Sequence, residues 1–285
     1  MGTRSAAGVS PLRAWIRRGA VRGRMVIVVA SVLAAATVIW MAWVALPSST
    51  ASSDTIPTAT SFDGIPQVGA VFSDGADSGH DCTGSVLSAP GRDLVLTAAH
   101  CVSGSGAGAQ FAPGYHDGVA PYGMWDVEAA YVDPRWVSSQ DPQHDYAFLI
   151  VATQQRNGQT VHLSDVVPGN RLGLAPAPGR PVQVIAYPAD VERPITCTTT
   201  TYVFSGYPAF DCRGFGDGTS GAPSLDLSAG SAVAVRGLIG GLNQGGCVDY
   251  TSYSPRFDQD TVAVYQRAVH GDTPDTLPVA GDDGC

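Results

Sequence analysis

The 285-residue chain contains no lysine; all 16 of its basic residues are arginine. It has no acidic residue before Asp54, while six of the arginines (Arg4, Arg13, Arg17, Arg18, Arg22 and Arg24) precede residue 25. Beyond residue 51 the ten remaining arginines face 25 acidic residues, a balance of −15. A surface that acidic repels phosphates, which excludes nucleic acid and anionic lipid as its partners. C-x-x-C pairs are also missing, and a zinc framework goes with them. No internal repeat is visible. Helical periodicity is scarce, which removes support for parallel βαβ units.

What is present begins with an uncharged run of 22 residues, 25–46, long enough to span a bilayer as a helix of roughly 30 Å at about 1.5 Å per residue. The arginine-rich residues 1–24 are expected to stay in the cytoplasm and to send everything after the run outside. Trp40 and Trp43 sit near its outer end, where aromatic rings favour the interface. Two outcomes stay open: a retained signal anchor, or a signal peptide cut near residues 49–51. The run exceeds the usual signal core, which favours the anchor.

Residues 47–61 are rich in Ser, Thr, Ala and Pro and read as a linker. From residue 62 the texture changes to short β-type runs separated by Gly, Pro and Asp, at 67–72, 84–87, 94–98, 125–132, 146–151, 181–187, 198–204 and 232–239. Such runs predict an all-β domain of antiparallel sandwich or barrel type, over 62–271, followed by a tail, 272–285. One helix is predicted, over 258–269, with Asp258 as cap, Val262, Tyr265 and Val269 on its apolar face, and Gly271 as its stop. The six cysteines all follow the apolar run, and an even count there points to disulfides in an oxidising compartment.

Chemistry is concentrated in three places. Residues 214–223 hold four glycines around one serine, Ser220. A serine that attacks a carbonyl needs exposure, a base, and backbone N–H groups aimed at the oxyanion; small neighbours supply the first and last. A merely flexible glycine loop is the alternative for this stretch alone. His100 follows the run at 94–96 and precedes Cys101, and an imidazole titrates near neutrality as a general base must. A bridge from Cys101 to Cys82 would pin its loop. Asp145 heads the almost wholly apolar run 145–151, where a carboxylate is partly buried and in need of a partner, whereas Asp133 and Asp141 read as solvated turn residues.

TAAHC (97–101), DYAFLIV (145–151) and GDGTSGAP (216–223), in that order, resemble the chymotrypsin/trypsin-like serine peptidase family. The His–Asp–Ser order is that family's and differs from subtilisins and α/β-hydrolases. The resemblance spans about 62–269 and implies two antiparallel Greek-key β-barrels with the site in the cleft between them. It assigns His100 as general base, Asp145 as its orienting carboxylate and Ser220 as nucleophile, with the N–H groups of Gly218 and Ser220 as oxyanion hole. It implies a monomeric extracellular domain acting on peptides or proteins, with no metal or organic cofactor, and touching a membrane only through its N-terminal segment.

Departures from the family pattern carry information. Thr219 stands where animal digestive members place the Asp that pairs with a new N-terminus after zymogen cleavage, which fits bacterial-type members. Gly214 occupies the position of the basic-specificity Asp, so preference for Arg or Lys is unsupported. A pocket-lining strand is expected over 237–243, with Gly240 and Gly241 joining Gly214 as pocket residues. It lacks the histidine of glutamate-specific relatives. Cys197 and Cys212 flank the approach to the serine loop and are expected to bridge. Cys247 with Cys285 would tie the tail to the second barrel; a free or intermolecular thiol at Cys285 is the alternative. Three other readings compete: an inactive relative that binds peptides, an α/β-hydrolase esterase using Ser220 and His270, and a structural β-domain. The esterase lacks the G-x-S-x-G elbow, His270 reading better as a solvated helix end, and the structural domain leaves three ordered motifs unexplained.

Overall fold

The computed structural model describes residues 55–226 and 233–285; the basic segment 1–24, the apolar run 25–46 and residues 47–54 of the linker lie outside them. Among the described residues no helix is long and apolar enough to cross a membrane. Those from Thr55 to Cys285 belong to one compact unit, which takes in the end of the linker and the tail.

The unit opens with β1 (Thr60–Ser61). Six strands then close a barrel: β2 (Val68–Phe72), β3 (Cys82–Leu87), β4 (Leu94–Thr97), β5 (Gln110–Pro113), β6 (Trp125–Val132) and β7 (Ala147–Val151), hydrogen-bonded in the order β2-β3-β4-β7-β6-β5. A hairpin of β8 (Gln154–Arg156) and β9 (Gln159–Val161) follows. The second half is an eight-stranded sheet of β10 (Arg171–Leu172), β11 (Pro181–Ala186), β12 (Ile195–Phe204), β13 (Tyr207–Asp211), β14 (Pro223–Asp226), β15 (Ala234–Leu238) and β16 (Thr251–Tyr253). Its order is β10-β15-β14-β11-β12-β13-β16, with β1 added beside β12. This is the all-β, double-barrel type of architecture expected from the sequence.

The closed barrel buries Phe111, Trp125, Tyr146, Phe148 and Leu149 completely. Each such side chain contributes roughly 2–3 kcal/mol of transfer free energy. β6 alternates where one face meets water, but β3 is buried at all six positions. Its outer face, with Thr83 and Ser85, is covered by the second half, so a period-two pattern is lost there. β1, β5, β8, β9, β10, β13, β14 and β16 have no counterpart among the predicted runs, each being only two to five residues long.

Three short helices decorate the strands: α1 (Pro134–Ser139), α2 (Leu163–Val166) and α3 (Gln259–His270). α3 carries the predicted Asp258 cap and Gly271 stop, and His270 lies exposed in its last turn. Its packed face centres on Thr261, Val264 and Ala268, with Tyr265 and Val269 at the margins, rather than on Val262. Asp133 is not a solvated turn residue: it is buried, caps α1 through the Arg135 N–H and pairs with the Arg135 guanidinium. Asp141 is half-exposed and caps the 3-10 turn Pro142–His144.

Candidate active site

β4 pairs with β7 so that Thr97 faces Ala147. This register carries Asp145, two residues before Ala147, to the 3-10 turn Ala99–Cys101 that follows β4. The turn is tied to β3 by the Cys82–Cys101 disulfide. His100 Nδ1 lies 2.7 Å from Asp145 Oδ2. A carboxylate can only accept, so Nδ1 carries a proton, and in the neutral ring it is Nε2 that keeps the lone pair. Asp145 is wholly buried, and such a carboxylate needs donors on both oxygens. The His100 N–H gives one to Oδ1 at 3.0 Å and the Gly241 N–H another to Oδ2 at 2.8 Å.

Ser220 comes from the other half, on the turn into β14. Gly221 N–H donates to Ile239 O, and Ala222 O accepts from Ile239 N, which ties the loop to the end of β15. Thr83 ties it to the barrel: its N–H donates to Ser220 O at 2.7 Å and its hydroxyl to Gly218 O at 3.1 Å, while its Oγ1 accepts from Tyr187 N. The halves meet so closely that a Cβ on Gly221 would lie 2.1 Å from Thr83 O, and its φ is +81°. Gly221→Ala is therefore expected to destabilise the fold by about 3 kcal/mol from left-handed strain and overpacking. A denaturation midpoint equal to the wild type's would contradict this close approach.

Two amides near Ser220 are already aimed. Asp217 O accepts from Ala189 N at 2.9 Å, and Thr219 O accepts from Ala222 N at 3.0 Å. In a planar trans peptide the N–H points opposite its C=O, so the Gly218 and Ser220 N–H groups face the other way. Among the described residues no hydrogen bond takes either of them. Thr219, buried, donates to Gly216 O at 2.6 Å and closes the loop from within. No new N-terminus is needed for that closure.

His100, Ser220 and Gly218 line one open cleft of about 520 Å³, with Phe215, Ile239 and residues 243–249 around them. The three expected pocket glycines lie elsewhere. Gly214 is exposed and donates to Asp249 O, while Gly240 and Gly241 stand behind Asp145, where a Cβ on Gly240 would lie 3.0 Å from its Oδ2. The strand expected over 237–243 stops at Leu238, and Leu242–Gly245 is a 3-10 turn with Asn243 and Gln244 at φ near +50°. Gln244 O lies 3.5 Å from the Ser220 hydroxyl, which donates to it. Two further disulfides, Cys197–Cys212 and Cys247–Cys285, brace the surroundings. The second pins the tail, so Cys285 is neither free nor intermolecular. Sequence reasoning missed Thr83, Ala189 and Gln244, whose roles depend on main-chain contacts that no residue type announces.

The family profile for a trypsin-like peptidase domain matches residues 82–235. The chain belongs to this family. Trypsin-like peptidases are hydrolases of peptide bonds, and three solved proteases share this chain's fold. The protease Anisep from Arthrobacter nicotinovorans is 26% identical over 75% of this chain and 100% of its own, with a TM-score of 0.63. A thermostable serine protease, AL20, from an extremophilic microorganism matches at 22% identity, TM-score 0.61, over 73% and 98% of the two chains. A Glu endopeptidase matches at 16%, TM-score 0.58, over 75% and 97%. No curated protein matches the chain.

Proposed function

We propose that this trypsin-like peptidase is a serine endopeptidase working outside the cell through Ser220, His100 and Asp145. The observation that carries the reading is the His100–Asp145 pair facing, across one cleft, a serine whose neighbouring amides are pre-aimed. Ser220 Oγ bonds to the scissile carbonyl carbon as His100 Nε2 takes its proton. The oxyanion is held by the Gly218 and Ser220 N–H groups. His100 passes the proton to the leaving amine as the C–N bond breaks, and water, deprotonated by His100, hydrolyses the acyl-enzyme. An open cleft between two halves suits an internal stretch of a polypeptide. The three disulfides and the apolar run 25–46 support an extracellular domain, secreted or tethered, with its N-terminus inside. Incubating a mixed peptide library with the purified protein, its C-terminal tail in place or freed from the Cys247–Cys285 bond, should yield cuts within chains. Silence from both folded forms would sink the reading.

Thr83 positions the hole without touching substrate. Thr83→Val should lower kcat by about 10–100-fold, since it unpins Gly218 O and leaves the buried Tyr187 N–H unpaired. KM should change little and Thr83→Ser should restore the rate. A Thr83→Val enzyme with wild-type kcat would remove this role.

A further inference from the structure

Beyond α3 the chain does not trail into solvent. Asp275 N–H donates to Ala130 O, and its carboxylate takes the Arg267 guanidinium and the Val132 N–H. Leu277, buried, exchanges two main-chain hydrogen bonds with Gly104. The Gln140 amide holds Val279 O at 3.0 Å and Gly281 N at 2.7 Å. The tail thus crosses the closed barrel to the rim of the cleft, where Asp283 and Cys285 join its lining.

There it grips the turn at 242–245. Gln244 Nε2 donates to Gly281 O at 2.8 Å, Asn243 Nδ2 donates to Asp283 O at 2.9 Å, and Cys285 is bonded to Cys247. Asn243 and Gln244 are non-glycine residues in the left-handed region, a conformation that persists only when its surroundings impose it. The two side chains so strained are the two that the tail holds. The strained turn in turn places Gln244 O 3.5 Å from Ser220 Oγ. A scissile carbonyl carbon must come within about 3–3.5 Å of the attacking atom, and Gln244 O already stands at that distance. Its oxygen rather than its carbon faces the hydroxyl, so it blocks without being attacked.

From these contacts we infer that the C-terminal tail is an intramolecular strap. Locked by Cys247–Cys285, it holds Gln244 against Ser220 and keeps a scissile carbonyl from reaching that hydroxyl, in a cleft otherwise open, until the tail is released. The inference rests on Ser220 being the nucleophile.

The test compares wild-type protein with Cys247→Ser/Cys285→Ser, and with a form cut after folding at a protease site inserted between Val279 and Ala280 and then mildly reduced, which frees residues 280–285 from Cys247; uncut protein given the same reductant is the control. The cut form covers the case in which the double variant fails to fold. Three readouts are taken: labelling by a small fluorophosphonate, kcat/KM on a peptide found in the library screen with the opened form, and amide exchange at Gln244 and Gly246. The strap predicts faster exchange, faster labelling and a rise of about ten-fold or more in kcat/KM on opening. Labelling with unchanged or lower kcat/KM overturns the strap and leaves the nucleophile standing, the tail then being a brace or a wall of the substrate cleft. Faster exchange with no labelling in any form overturns the nucleophile, and the strap as its regulator falls with it.

Discussion

Ser220→Ala protein is expected to take up no fluorophosphonate and to lose about 10⁶ in kcat, while its unfolding midpoint stays at the wild-type value. The loss is near total because the acyl-enzyme cannot form without Oγ, and only the aimed amides remain to hold an oxyanion. Stability is spared because the Ser220 main chain, not its side chain, ties the loop to the barrel: Thr83 N donates to Ser220 O. The hydroxyl has one weak contact, to Gln244 O at 3.5 Å. His100→Ala should abolish labelling as well, since nothing else would take the hydroxyl proton. Labelling that survives Ser220→Ala would move the nucleophile elsewhere and end the assignment.

Asp145→Asn is expected to cut kcat by about 10⁴, the scale that losing this charge costs where a triad carries the reaction. The structure shows why an amide cannot substitute. Oδ2 accepts from both His100 Nδ1 and Gly241 N, and Oδ1 accepts from His100 N. With the amide NH2 at the Oδ2 position, it opposes the Gly241 N–H and drives the proton of His100 onto Nε2, the wrong tautomer for a base. With it at the Oδ1 position, the tautomer survives but two donors face each other in a fully buried site. In both orientations the negative charge that stabilises the imidazolium is gone. Asp141→Asn serves as the control: it caps a half-exposed turn and should leave kcat within about two-fold, as surface changes usually do. A large loss in Asp141→Asn with normal turnover in Asp145→Asn would exchange their roles.

Legibility followed the range of the interactions involved. His100 and Asp145 could be read because each sits at the end of an apolar run, and the β4–β7 pairing of those runs brings the two together. Ser220 could be read because its neighbours lack side chains, and Gly221 indeed has no room for one. Gly240 and Gly241 read as pocket residues when β15 is extended as a regular strand, whereas β15 ends at Leu238 and the chain turns at Leu242, where the tail contacts Asn243 and Gln244. Asp133 reads from sequence as a solvated turn residue, yet Pro134 after it opens α1 and makes Asp133 its cap. The unpredicted strands are short, and their pairing partners rather than their composition make them strands.

By itself, the amino-acid sequence determined the all-β class and the order of the three candidate catalytic residues. It also put a threonine, not an aspartate, immediately before Ser220. These follow from side-chain pattern and from where glycine permits close approach, which are properties of neighbours along the chain. Only the tertiary structure decided that Thr83 joins the two halves behind the serine, that Gly240 and Gly241 serve Asp145 rather than the cleft, and that the tail returns to the cleft's rim. Those outcomes rest on main-chain carbonyls and amides meeting partners distant along the chain, 135 residues for Thr83 and Gly218 and 96 for Asp145 and Gly241, and every residue type carries the same main-chain groups.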